Sequence, residues 1–190
     1  MTSFEFVFGL ISVITSLALT NMLGGAVSLY RHAERVQLSW RHGLWVAIAF
    51  MVLIANWAAF WKSHDQRLWS ALDILIPLAF VSVLYAFCDL VMPDKTAEHA
   101  VVNLREYHLR KGGRYKTLQL AFAIMALILI AHREHTLAHW FGASKFAILA
   151  ALIGALALRA RSTWLDTATA IVLALLGIVF MIANLQLLSA

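Results

Sequence analysis

Cysteine occurs once in this chain, at Cys88, which rules out an intrachain disulfide and any cysteine-rich metal or iron–sulfur site. Charge is scarce too: Asp, Glu, Lys and Arg make up 13% of the 190 residues, about half the share of an ordinary soluble domain. No Lys or Arg precedes Arg31. The first apolar run therefore lacks the basic start of a cleavable secretory signal, is too long for one, and is expected to remain as a signal anchor. There is no Walker motif, nucleotide fingerprint, selectivity-filter signature or regular arginine ladder. Without a recognised catalytic constellation, a non-enzymatic role is the expectation.

What the chain has in excess is oil. Hydrophobic residues make up 62% of it, and the mean hydropathy is +0.80. A soluble core cannot bury that much apolar surface, whereas a lipid bilayer can. The net charge of +5 has its basic residues between the apolar runs, so it reads as a topology signal rather than a nucleic-acid patch.

Six runs approach the ~20 residues that cross a bilayer: roughly 4–30, 41–62, 70–92, 115–134, 144–160 and 166–188. In lipid each backbone N–H and C=O needs a partner inside its own segment, so an open chain crosses only as helix. The fold class expected is all-α and polytopic, a single transmembrane domain over residues 1–190 with six helices in one bundle. The connector 93–114 is the only long loop. Within it "PDKTAEHAVVNLREYHLRKGG" predicts a short interfacial helix, opened by Asp94 and stopped at Lys111-Gly112-Gly113.

Orientation follows from the loops. The first, third and fifth hold Arg31, Arg35, Arg41, Lys95, Arg105, Arg110, Lys111, Arg114, Lys116, Arg159 and Arg161, against Lys62, Arg67, Arg133 and Lys145 in the others. The odd loops should face the cytoplasm. The expected location is a cell membrane of the bacterial inner type, with both termini on the outer, periplasmic side.

Polar groups at membrane depth turn toward other helices or water. In the first helix Glu5, Gly9, Ser12, Ser16 and Thr20 form a small, polar stripe, expected to be a packing face or, in the sharper reading, a hydrated path. In the third helix Pro77 frees the carbonyl of Asp73, making Asp73 the leading candidate for a functional carboxylate. Asp89 is expected to pair with Arg31, Arg35 or Arg41, and Asn56 and Gln119 to hydrogen-bond between helices. The candidate transport path is thus Asp73, Glu5, Ser12, Ser16, Thr20, Asp89 and Asn56.

"AHREHTLAHW" spaces His132, His135 and His139 along one face of a helix that continues past residue 134. With His64 they make a candidate transition-metal site, although amphipathic imidazoles beside Trp140 are the plainer reading. Pairs such as His32 with His42, or His64 with His132, are the remaining route to a haem. No cofactor is otherwise implied. Three functions follow: a channel or small transporter for a small cation or proton; an accessory or assembly subunit; and a metal- or haem-binding membrane protein. The expected partners are the lipid bilayer and either a second copy of the chain or another membrane protein.

Overall fold

The computed structural model describes residues 2–64, 69–93, 102–134 and 136–185. In chain order the elements are α1 (Ser3–Arg31), β1 (Val36–Gln37), α2 (Trp40–Phe60), α3 (Ala71–Val91), β2 (Val102–Asn103), α4 (Leu104–Arg133), α5 (Leu137–Arg159) and α6 (Thr163–Leu185). All six helices are long and apolar enough to cross a membrane. This is the architecture of a multi-pass membrane protein.

Local chemistry sets where the helices begin. Thr2 and Glu5 form a reciprocal capping box on α1, and Ser70 and Asp73 form one on α3. Asn103 Oδ1 accepts from the backbone N–H groups of Arg105 and Glu106, and so starts α4 at Leu104 rather than near residue 115. Asn103 is itself fixed by the two-residue parallel pairing of β1 with β2, and its amide donates to Gln37 Oε1 at 2.6 Å.

Gly112 and Gly113 therefore do not stop a helix. They lie inside α4, where Leu104, His108, Gly112 and Tyr115 recur on one buried face. Burial of that face outweighs the weak helix propensity of two glycines, roughly 1 kcal/mol each. Of the expected interfacial helix, residues 94–101 lie outside the described residues, and 104–114 form the first turns of α4.

At the other end α4 stops at Arg133, and Thr136 caps the start of α5 at Leu137, well before the expected residue 144. His132 and His139 consequently sit on different helices, and the shared helical face read from their spacing is not formed. His135 lies outside the described residues.

Side chains such as Val13, Leu17, Leu152, Leu156, Leu175 and Val179 are more than half exposed, as expected of a lipid-facing rim. Lipid removes most of the hydrophobic drive for helix association, leaving close packing and interhelical hydrogen bonds. Polar ties are found accordingly. Asn21 Nδ2 donates to Tyr85 Oη (3.1 Å) and Asp89 Oδ1 (3.3 Å), tying α1 to α3. Trp57 Nε1 donates to Ser12 Oγ at 3.0 Å, tying α2 to α1. Gln119 Nε2 donates to the Ala150 carbonyl at 3.3 Å, tying α4 to α5.

Candidate functional site

The most concentrated polar chemistry lies between α2, α4 and α6. Asp166, in the first turn of α6, is reached by two side chains of α4. His108 Nε2 lies 2.8 Å from Asp166 Oδ2, and Lys116 Nζ donates to Oδ1. The other imidazole nitrogen of His108 is hydrogen-bonded to the Tyr115 hydroxyl. His108, Lys116 and Asp166 are each less than a tenth exposed, and Tyr115 is fully buried. Ionisable groups so deeply buried are tolerated when paired, and here each has a partner.

α4 supplies His108, Tyr115 and Lys116 from one face, because they lie seven and eight residues apart, close to two helical turns. From α2, Trp45 places its ring 5.7 Å from Lys116 Nζ, a cation–π contact. His42, one turn earlier, stands edge-on to Tyr107 and Tyr115 at 5.4 and 6.4 Å between ring centroids. His42 is 1% exposed, and among the described residues neither of its ring nitrogens has a hydrogen-bond partner. The linked order is Tyr115–His108–Asp166–Lys116. His108 thus bridges the Tyr115 hydroxyl and the Asp166 carboxylate, with one ring nitrogen at each.

A cavity of about 240 Å³ begins one turn further along α4. Gln119 and Phe87 line its end nearest the cluster, Phe122 and Ala126 its middle, and Arg133 and Asn184 its far end. Gly154 of α5 lets the Gln119 carboxamide lie against the helix backbone, in space that a Cβ would occupy. The Oε1 of Gln119 is buried and has no donor among the described residues.

The candidate path residues read from the sequence are not gathered into one conduit. The inward face of α1 is Val7, Ile11, Ala18, Met22 and Gly25, and the stripe turns outward: Glu5, Gly9, Ser16 and Thr20 are exposed. Glu5 caps its own helix, and Ser12 accepts the Trp57 N–H. Asp73 lies one turn before Pro77 in α3. It sits in the first turn of α3, accepts from Ser70, and lies 2.9 Å from His132 Nε2. Asp89 meets Asn21 rather than a loop arginine. Asn56 donates to Val52 O at 2.8 Å on its own helix and also lines the cavity, the one path residue that does so.

The histidines separate as well. His132 pairs with Asp73, and His64 Nδ1 lies 2.8 Å from the Trp61 carbonyl oxygen, its ring stacked on the indole. Among the described residues no three His, Cys, Asp or Glu side chains come together as a metal-holding group. Sequence reasoning missed His108, Tyr115 and Asp166, and read Lys116 only as a topology charge. The available signal was Asp166 at the mouth of an otherwise apolar run, a lone carboxylate in want of a cation. No known protein family, curated protein or solved structure matches the chain.

Proposed function

We propose that the chain is a small membrane transporter, in which proton movement at the His108–Asp166–Lys116 cluster accompanies passage of a small solute through the adjoining cavity. One observation carries this reading: Lys116 in the cluster and Gln119 in the cavity wall are three residues apart on α4, so site and cavity share one helical face. Buried ionisable groups inside a membrane bundle characteristically serve proton relays and substrate pathways. The groups against the His108–Asp166 pair are Tyr115 and Lys116 from α4, with His42 of α2 edge-on to Tyr115. By the positive-inside argument this end of the bundle belongs to the cytoplasm. The expectation of a cation or proton path thereby moves from Asp73 and α1 to α4 and α6.

Proteoliposomes containing a pH-sensitive dye test the reading. Internal pH is recorded under an imposed potential, alone and with a panel of small organic ions that do not cross lipid unaided. Wild-type protein should change internal pH faster than empty liposomes. The double variant Lys116→Met/Asp166→Leu, apolar and close in size, should not. Superimposable traces for wild type and double variant under every condition would sink the proposal.

A second reading, an accessory subunit or a homo-oligomer, is favoured by the outward Ser16 and Thr20 at the middle of α1. Small polar residues on a lipid-facing helix are the usual surface on which another membrane helix packs. A photo-crosslinking residue placed at Ser16 should then capture a discrete protein, either a second copy or one constant partner. Crosslinking to lipid alone would remove this reading.

A further inference from the structure

The cavity has a shape and a polarity that narrow what it holds. Its wall on α4 runs from Gln119 to Arg133 through Phe122, Ala126 and Leu129, a single face of the helix. Those ends are about 21 Å apart at the rise of an α-helix. A volume of about 240 Å³ drawn out over such a length makes a slender slot. It exceeds the ~150 Å³ that admits a benzene ring but falls short of the ~300 Å³ at which drug-sized pockets begin. One unbranched chain matches it.

The two ends differ. At one, the guanidinium of Arg133 lies 5.8 Å from the centre of the Phe60 ring, and among the described residues its hydrogen bonding is a single donation to Ser63 Oγ at 2.7 Å. The Asp73 carboxylate on that side of the bundle is engaged by Ser70 and His132, and with Glu134 it acts on Arg133 through space, without a hydrogen bond among the described residues. Arginine offers five N–H donors in a planar fork that matches a carboxylate in two places, so most of this one's donor capacity is uncommitted. At the other end Gln119 is 4% exposed, and its Oε1 has no donor among the described residues. Between the ends the wall is apolar apart from Asn56, whose amide N–H donates to the Val52 carbonyl of its own helix.

From this geometry we infer that the slot binds a single-chain amphiphile with a carboxylate head. The head seats on Arg133, beside Asn184, and the alkyl chain runs along α4 toward Gln119. The inference goes beyond the transport reading: it names an occupant of the cavity whether or not that molecule is itself moved.

Binding of isotopically labelled decanoate to the full chain in phosphatidylcholine nanodiscs, corrected with empty discs, is the test. Saturable binding is expected, weakened at least about tenfold by Arg133→Gln and largely retained by Arg133→Lys. Ala126→Leu and Ala147→Leu each fill the slot from a different helix and should each block binding. Whichever of the two keeps wild-type circular dichroism decides that arm. Decyltrimethylammonium, with the same chain and opposite charge, should not compete. Uptake no greater than that of empty discs, binding indifferent to Arg133→Gln, or equal competition by the cation would overturn the assignment. Should decanoate bind while the proteoliposomes show no proton movement, the ligand class stands and the transport reading fails. Proton movement without decanoate binding would instead overturn the ligand class and leave the transport reading in place.

Discussion

Replacing Asp166 with Asn should destabilise the folded bundle by about 3–5 kcal/mol, because Lys116 is left as a buried, unpaired cation. The pair ties α4 to α6, and the two side chains are only 11% and 12% exposed. Removing both charges together, as in Lys116→Met/Asp166→Leu, should return most of that loss, since the desolvation of two ions is no longer required. In the double variant His108 would retain the Tyr115 hydroxyl as a partner and lose Asp166. Thermal unfolding in detergent of the wild type, Lys116→Met, Asp166→Leu and the double variant completes the cycle. If the double variant lost the sum of the two single losses, the charges would not be interacting as a pair. The double variant is also the useful one for transport, because a folded protein without proton movement separates function from stability.

Gly154→Ala should cost about 1–3 kcal/mol, the usual penalty for overpacking a close interface. The new Cβ would meet the Gln119 carboxamide and push it from its bond to the Ala150 carbonyl. In a Gln119→Ala background the same substitution should be nearly silent, because the obstructing amide is gone. The difference, a coupling of at least about 0.5 kcal/mol, is read from a double-mutant cycle of thermal midpoints. Equal penalties in both backgrounds would mean that Gly154 matters for something other than Gln119.

The segmentation into six helices was legible because it rests on bulk properties, long apolar runs parted by clusters of charge, which need no knowledge of neighbours. The ends were less so. α4 is extended by Asn103, whose capping position depends on β1 pairing with β2 across a separation in sequence that no local pattern announces. Two adjacent glycines read correctly as weak helix formers, yet the buried face formed with His108 and Tyr115 overrides them. The candidate site was harder still. Asp73 and the stripe on α1 stood out because they are polar in an apolar context, but polarity at a helix start serves capping as readily as function. Asp166, by contrast, gains its meaning from Lys116 and His108, fifty and fifty-eight residues away in the chain. Such a cluster becomes visible only when α4 and α6 are laid side by side.

The unbroken course of α4 has a mechanical consequence. Its thirty residues make a rod of about 45 Å, longer than the ~30 Å hydrocarbon layer, with His108 anchored to Asp166 near one end and Arg133 to Ser63 at the other. A stiff beam held at two points transmits a pivot at one as a swing at the other. Loosening the α6 anchorage would thus reposition the guanidinium without any relay of side chains between them.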